Sequence, residues 1–235
     1  MAKVSDPAPA DDKPHYLGHR DRLRERLLHA GPEALSDYEL LEFLLFSARP
    51  RGDMKPLAKT LIARFGSLAG VLGADRDALL AVRGLGEASA ATLLATRAAA
   101  LQLIRGRVTE RPVLTSWQAL MDYCSAAQGF AEIEEFRLLF LDRKNALIAD
   151  ERHQRGTVDH APAYPREIVK RALDLGASAL ILLHNHPSVD TTPSRADIDT
   201  TRAIADALRP VGIALHDHVI VGRGRHTSLK SLGLI

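Results

Sequence analysis

Apolar and polar residues follow two different rhythms along the chain, and the first of them covers the N-terminal part. There, apolar side chains recur three or four positions apart in short segments that end at Gly or Pro, the pattern of amphipathic helices. We predict helices over residues 20–31, 35–48, 55–66, 75–82 and 83–104. An all-helical domain is therefore expected over residues 17–108. Residues 1–16, rich in Pro, Ala, Asp and Lys without periodicity, are predicted to be a disordered arm.

The second rhythm mixes continuous apolar runs with helical segments. It begins after a predicted linker, residues 109–115, where charge and Pro interrupt the apolar pattern. Strands are predicted at 134–142, 145–153, 156–159, 178–184 and 214–222, and helices at 117–127, 165–176 and 194–209. Strands and helices intermixed in this way indicate an α/β (α+β) domain, a mixed sheet with flanking helices, over residues 116–235.

Composition narrows the cellular setting. The 235 residues are 46% hydrophobic, which suffices for one large core or two ordinary ones, yet no apolar run approaches the ~20 residues that span a bilayer. The N-terminal segment lacks the apolar centre of a secretory signal, so we expect a soluble, cytoplasmic protein with no membrane partner. Cys124 is the only cysteine, which excludes an internal disulfide and a cysteine-based zinc cluster.

The candidate chemistry begins where the apolar strand at 178–184 runs into His184, Asn185, His186 and Pro187. Successive side chains of a strand point to opposite faces, so the two histidines project to the same side, about 6–7 Å apart along the chain. Both imidazoles can therefore reach one metal ion, and the proline ends the strand there. The pair alone is equally compatible with two histidines that merely close the end of a strand.

Ser194 and Asp197, further along, have the spacing of a helix N-cap and the third residue of that helix. Capping alone is a complete explanation of these two residues. The intervening loop also allows the first turn of the helix to return beside the histidines. Two imidazoles and one carboxylate then supply three ligands to a tetrahedral zinc ion and leave its fourth position to water, as in catalytic zinc sites.

The stretch HNHPSVDTTPSRAD, residues 184–197, resembles the signature of the JAMM/MPN-type metallopeptidases, including the eleven-residue step from His186 to Asp197. Together with its wider context, the chain resembles the bacterial RadC proteins over residues 17–235. The resemblance implies a zinc-dependent hydrolase of peptide or isopeptide bonds. Its metal ligands would be His184, His186 and Asp197, and Ser194 would donate a hydrogen bond to the developing oxyanion.

Three positions depart from the RadC pattern. Val189 and Thr191 stand where Gly and Pro are usual, a difference that bears on the mobility of the loop over the site. Tyr164 stands where a His usually precedes the PRE segment, which removes a polar partner. None of the three is a metal ligand.

The resemblance also implies a glutamate at the start of an earlier strand, acting as general base on the metal-bound water. In EEFRLLFLD it falls on Glu135, directly before the aromatic residue, whereas Glu134 is interpreted as a solvated charge. A solvated charge at the strand entrance is the alternative for Glu135 too. Glu167, in the first turn of the helix at 165–176, is the reserve candidate for the base, although its helix position already explains it.

His216 and His218 form a second His-x-His pair and thus a rival metal site. No carboxylate stands at a comparable spacing, so we predict a sheet strand whose histidines are paired locally. His218 is a candidate supporting group behind the metal ligands.

In the helical half, residues 82–95, VRGLGEASAATLLA, resemble a helix-hairpin-helix motif, which contacts the DNA backbone without reading its sequence. Gly84 and Gly86 would let backbone amides at a helix N-terminus hold a phosphate, with Arg83 and Arg97 adding charge. A plain turn between helices explains the glycines equally well. The net charge of +2, from 31 basic and 29 acidic residues, gives no separate reason to expect DNA.

Two functional interpretations follow. The first is a zinc-dependent JAMM-type hydrolase of an unidentified peptide or protein substrate, fused to a helix-hairpin-helix module with non-specific DNA as a partner. The second is a non-enzymatic DNA-associated adaptor with a structural or vestigial metal. RadC proteins carry the label of DNA repair, but the candidate site favours amide hydrolysis over strand cleavage, which more often uses paired metals. A metal-dependent deaminase or nuclease is the least favoured option, and the sequence leaves the oligomeric state open.

Overall fold

A computed structural model describes residues 18–109, 112–113, 117–155, 163–188 and 190–235. The predicted arm at 1–16, the predicted strand at 156–159, Val189 and most of the predicted linker lie outside these ranges. No helix within them is both long and apolar enough to cross a membrane.

The helical half forms a compact unit made of the described residues up to Val71 together with Leu79–Leu93. Its helices, in chain order, are α1 (His19–Ala30), α2 (Asp37–Ala48), α3 (Lys55–Phe65), α4 (Leu68–Gly73), α5 (Arg76–Leu80) and α6 (Glu87–Thr109), with a 3-10 turn at Pro32–Ala34. The second unit consists of Leu72–Ala78 and Leu94–Ile235. Each of the last three helices therefore has residues in both units. The predicted all-helical N-terminal region is confirmed.

Local sequence explains where these helices begin and end. Ser36 starts α2 with a capping box, in which its backbone N–H donates to Glu39 Oε2 at 3.0 Å. α3 ends at Gly66, whose φ of +84° is a left-handed conformation that costs glycine little. Leu45 of α2 and Leu61 of α3 are fully buried, so the apolar stripes of the pattern form the core of this unit.

The second unit contains one mixed sheet. Its elements are α7 (Trp117–Gln128), β1 (Glu135–Leu141), β2 (Leu147–Arg155), α8 (Pro165–Asp174), β3 (Ala179–Asn185), α9 (Arg195–Leu208), β4 (Ala214–Gly222) and β5 (Arg225–Ser228), with a 3-10 turn at Arg209–Val211. Among the described residues, the strand order is β2-β1-β3-β4-β5. Only β3 and β4 are parallel, and the other neighbouring pairs are antiparallel. The predicted mixed sheet with flanking helices is confirmed.

Helices cover both faces of this sheet, and β3 is buried along its whole length. Ile181 and Leu183 pack in one core cluster with residues of α7, on what we call the α7 face. Leu180 and Leu182 pack in a second cluster with residues of α8 and α9, on what we call the helix-pair face. His184 has the same parity as the second pair, so the end of β3 presents it on the helix-pair face.

β1 follows the same alternation. Phe136, Leu138 and Phe140 belong to the cluster on the helix-pair face, whereas Leu139 and Leu141 belong to the cluster on the α7 face. The register of the ladder places Phe136 opposite His184. The side chain directly before Phe136 therefore points away from the histidines.

Candidate metal centre

Three side chains that the sequence singles out converge at the end of β3 and the start of α9. His184 Nε2 lies 3.1 Å from His186 Nε2 and 3.3 Å from Asp197 Oδ1, and His186 Nε2 lies 3.6 Å from Asp197 Oδ2. In a tetrahedral site with Zn–N and Zn–O bonds of about 2.0–2.1 Å, neighbouring ligand atoms are separated by about 3.3–3.4 Å. Two of the separations are to different carboxylate oxygens of Asp197, and with one ligand atom from each residue the three atoms lie within 4.8 Å of one another, close enough to share one metal ion. We call these residues the ligand cluster.

The chain between the histidines and Asp197 leaves the sheet and returns as a helix. The backbone N–H of His186 still donates to Val221 of β4 at 3.0 Å, and Pro187 follows it where the ladder ends. α9 then begins at Ser194, with a capping box formed by Ser194 and Asp197. The predicted cap is present, and it is also what brings the carboxylate beside the imidazoles.

Both imidazoles present the same nitrogen to the cluster. His186 Nδ1 lies 2.9 Å from the carbonyl oxygen of Asp190, an atom that only accepts, so Nδ1 carries the proton of this bond and Nε2 is the nitrogen that faces the cluster. His184 is held from behind by His218, whose Nε2 is 2.8 Å from His184 Nδ1. The ring of Phe136 packs nearly parallel to that of His184, with centroids 6.2 Å apart.

The charges in the cluster are mixed, because the Asp197 carboxylate and the neutral His184 suit a cation whereas His186 favours a proton that a metal ion would displace. Burial lowers the pKa of His184 to about 4, so its ring is neutral at neutral pH. Burial alone would raise the pKa of Asp197, but His186, His184 and the hydrogen bonds from Ser194 together hold it well below its usual range. The Asp197 carboxylate, with a further contribution from Glu134, raises the pKa of His186. A carboxylate and neutral imidazoles are the ligand forms that bind zinc.

Ser194, predicted to donate to an oxyanion, is engaged with the carboxylate of Asp197. Its hydroxyl lies 2.6 Å and its backbone N–H 2.7 Å from Asp197 Oδ2, and the backbone N–H of Asp197 donates back to Ser194 Oγ at 3.1 Å. Because the single hydroxyl proton points at Oδ2, the arrangement orients Asp197.

Glu135, predicted as general base, lies on the α7 face, and the ligand cluster lies on the helix-pair face. Its Oε1 accepts from Arg152 at 3.0 Å, and its backbone N–H donates to Asn185 Oδ1 at 2.9 Å. The residue before it, Glu134, lies two positions from Phe136, so strand alternation would direct both side chains to the same face. Glu134 is the glutamate whose charge contributes to the raised pKa of His186, and Glu135 as general base stays a prediction.

The surroundings of Glu135 form a separate charged cavity of about 450 Å³. Arg137 and Asp150 make an ion pair there at 2.6 Å, and the Tyr123 hydroxyl donates to the same aspartate. Arg97, expected beside the glycine turn, instead donates to the carbonyl oxygens of Gly73 at 3.0 Å and Ala127 at 2.8 Å. The Asp150 carboxylate is already paired with a guanidinium, which leaves less negative charge there for a metal ion.

The other candidate residues lie away from the cluster. Glu167, the reserve base, pairs with Arg166 at 3.0 Å near the start of α8. His216 Nε2 is 2.6 Å from Asn145 Oδ1, as a locally paired histidine should be. His218, its partner in the second His-x-His pair, points instead at His184. Within the described ranges, the ligand cluster is the one group of three or more potential ligands that converge.

In the helical unit, the glycine turn lies between α5 and α6. Gly84 adopts a φ of +92°, whereas Gly86 has no positive φ. Arg83 and both glycines are exposed, and the glycines line a cavity of about 410 Å³ together with Arg49 and Ser89. The turn is thus exposed and borders a cavity.

A mixed sheet with helices on both faces and a His-His-Asp cluster at the end of a central strand is a JAMM/MPN-like fold. Comparison with protein families agrees with this class. The model described as RadC-like JAB domain matches residues 114–234, and the model described as UPF0758 N-terminal matches residues 15–91. The chain belongs to the RadC family, as its motifs predict.

Proposed function

We propose that this protein is a cytoplasmic, zinc-dependent hydrolase that cleaves peptide or isopeptide bonds. The observation that carries the proposal is the set of three separations, 3.1, 3.3 and 3.6 Å, among two imidazole nitrogens and one carboxylate. Three ligands leave the fourth position of a zinc ion open, which is typical of catalytic sites. The JAB-domain family, to which the second unit belongs, is related to metallohydrolases.

A zinc ion in this site would supply Lewis acidity, lowering the pKa of a coordinated water and polarising the scissile carbonyl. His184 and His186 contribute neutral Nε2 lone pairs, and Asp197 contributes negative charge. Ser194 keeps the Asp197 carboxylate turned toward the histidines through the bond at 2.6 Å. Donation from Ser194 to the oxyanion is compatible with this role only if the hydroxyl leaves Asp197 during turnover.

Glu134 is the residue that we propose as general base. Its side chain has the parity of the ligand cluster and is near enough to raise the pKa of His186. A carboxylate in this position can accept a proton from the attacking water and return it to the leaving amine, so the residue ends the cycle in its starting form. Glu135 lacks this access because its carboxylate accepts from Arg152 on the α7 face.

DNA contact by the glycine turn is the second candidate function, and it is the basis of the alternative adaptor role. The positive φ of Gly84 and the exposure of the turn favour it. Gly84→Ala should weaken binding to duplex DNA of any sequence, because a Cβ is strained at φ +92°. Gly106→Ala is a control outside the turn, since Gly106 lies in α6 and a Cβ there meets no atom within 4 Å. Equal affinity of both folded variants and the parent would remove the turn from the account.

Metal analysis followed by substrate profiling tests the hydrolase. We expect about one zinc ion per chain in the parent protein and in Asp199→Asn, and none in Asp197→Asn. Asp199 is a matched control because it lies two residues further along α9 in an exposed ion pair with Arg195. Peptide and isopeptide libraries should be cleaved by the parent, protected by a chelator and cleaved again after zinc is restored. A zinc-free parent, or a zinc-loaded one that leaves both libraries intact, would contradict the proposal.

A further inference from the structure

A line of hydrogen bonds runs from the back of His184 to the main chain of Asp197. His184 Nδ1 is 2.8 Å from His218 Nε2, His218 Nδ1 is 2.5 Å from Thr201 Oγ1, and Thr201 Oγ1 is 2.5 Å from the carbonyl oxygen of Asp197. His218 and Thr201 are fully buried, and His184 is 1% exposed. The line joins β3, β4 and α9, and it begins and ends at residues of the ligand cluster.

The direction of every proton in this line follows from its far end. A carbonyl oxygen only accepts, so the one hydroxyl proton of Thr201 points at Asp197. Thr201 Oγ1 is then left to accept, and His218 Nδ1 must donate to it. A buried, neutral imidazole carries a single N–H, so His218 Nε2 is an acceptor.

The tautomer of His184 follows from that of His218. Because His218 Nε2 accepts, His184 Nδ1 must donate, and His184 Nε2 is left with its lone pair. That lone pair is directed at the other two members of the ligand cluster, 3.1 Å from His186 Nε2 and 3.3 Å from Asp197 Oδ1. The order of protons is therefore set by a backbone carbonyl, before any metal arrives.

We propose that Thr201 and His218 are positioning residues that hold His184 in its Nδ1-protonated tautomer, with the metal-binding nitrogen exposed to the cluster. The structural part of this inference stands on the metal-free protein, and its consequence for zinc rests on the function proposed above. In the opposite tautomer of His184, the lone pair of His184 Nδ1 would face the lone pair of His218 Nε2. Both residues are buried, so no water would separate the two lone pairs. Partners behind a metal-binding histidine typically change metal affinity by about 10–100-fold when removed.

Thr201 is the decisive position because a hydroxyl and a methyl group can be exchanged there with little change in volume. Thr201→Val removes the donor to Asp197 and the acceptor for His218, whereas Thr201→Ser keeps both and is the matched control. We expect the Val variant to bind zinc about 10–100-fold more weakly than the parent, and the Ser variant to bind as the parent does. Competition with a chromophoric chelator measures the affinities, and circular dichroism verifies that each variant is folded.

The tautomers themselves are read from long-range ¹H–¹⁵N NMR spectra of the metal-free parent protein, which requires no variant. We expect His184 and His218 each to carry the proton on Nδ1. A parent in which His184 carries its proton on Nε2 would overturn the inference, as would a folded Val variant with unchanged zinc affinity. A parent with the expected tautomers that binds no zinc would contradict the proposed function while supporting the ordered line.

Discussion

Glu134 and Glu135 are neighbours in the chain, yet their surroundings differ in almost every respect. The charge of Glu134 contributes to the raised pKa of His186, a member of the ligand cluster. Glu135 accepts from Arg152, in a cavity that also holds the Arg137–Asp150 ion pair. Two adjacent carboxylates thus have different charged neighbours, an imidazole for Glu134 and a guanidinium for Glu135.

Negative charges on the two faces of the sheet also have different partners. On the α7 face, negative charges are balanced by arginines of the chain itself. On the helix-pair face, Asp197 faces two imidazoles, one of which burial keeps neutral. Among the described residues, three potential metal ligands converge on the helix-pair face.

The largest effect is expected at the ligand cluster. His186→Ala removes one of three ligands, so stoichiometric zinc should be lost, as measured by metal analysis of the purified protein. His216→Ala, which removes a histidine paired with Asn145, should leave zinc content unchanged and serves as the control. A full zinc complement in the folded His186 variant would move the site elsewhere, with His216 and His218 as the first alternatives.

The next largest effect is expected on hydrolysis, and it should differ between variants of the two glutamates. Glu134→Gln keeps the shape of the side chain but cannot accept a proton, so hydrolysis should fall by about 10²-fold or more with zinc still bound. Glu135→Gln should retain most of the activity because it alters only the α7 face. Turnover and zinc stoichiometry are measured on the same preparations. The reverse pattern would restore Glu135 as the base, and an unchanged rate in both variants would direct attention to Glu167.

A smaller effect concerns the pH dependence of zinc binding. The pKa of His186 is raised, so a proton competes with zinc as the pH falls through that raised value, and affinity should decline by up to tenfold per pH unit below it. His184, with a pKa of about 4, contributes only at much lower pH. Glu134→Gln removes a charge that raises the pKa of His186, so it should shift the decline to lower pH, whereas Glu135→Gln should not. Isothermal titration over a pH series would reveal a shift in either variant.

The smallest effect is on stability. Arg152 is half-exposed, so removing its ion pair by Glu135→Gln should lower the free energy of unfolding by less than about 1 kcal/mol. Urea denaturation of the parent and the variant measures the difference. A loss of several kcal/mol would mean that Glu135 belongs to the buried ionic core of the α7 face together with Arg137 and Asp150.

The sheet and the ligand cluster follow from local signals in the sequence, whereas the identity of the general base stays a prediction. The apolar run before His184 and the cap at Ser194 are local signals, and both the fold class and the convergence of the cluster follow from them. The choice between Glu134 and Glu135 depends on strand parity. Because β1 is apolar on both faces, hydrophobic alternation does not show that parity. Arg137 was the available signal, since a charged residue two positions after Glu135 marks the face that they share.

Other features depend on contacts between distant segments. β5 is four residues long and has no apolar alternation, so its pairing with β4 decides its structure. The line through His218 and Thr201 joins residues on different elements, and although the sequence singles out His218 as a supporting group, no spacing marks Thr201. Proton order in such a line follows only from knowing which atom terminates it.

The central claim is that a single metal ion binds on the helix-pair face, away from Glu135. Anomalous diffraction at the zinc edge from crystals of the zinc-loaded protein tests it most directly. The account predicts one peak per chain, about 2.0–2.2 Å from His184 Nε2, His186 Nε2 and a carboxylate oxygen of Asp197, with Glu134 as the nearest glutamate. A peak at His216, a peak in the cavity beside Glu135, or no peak in a zinc-loaded crystal would contradict it.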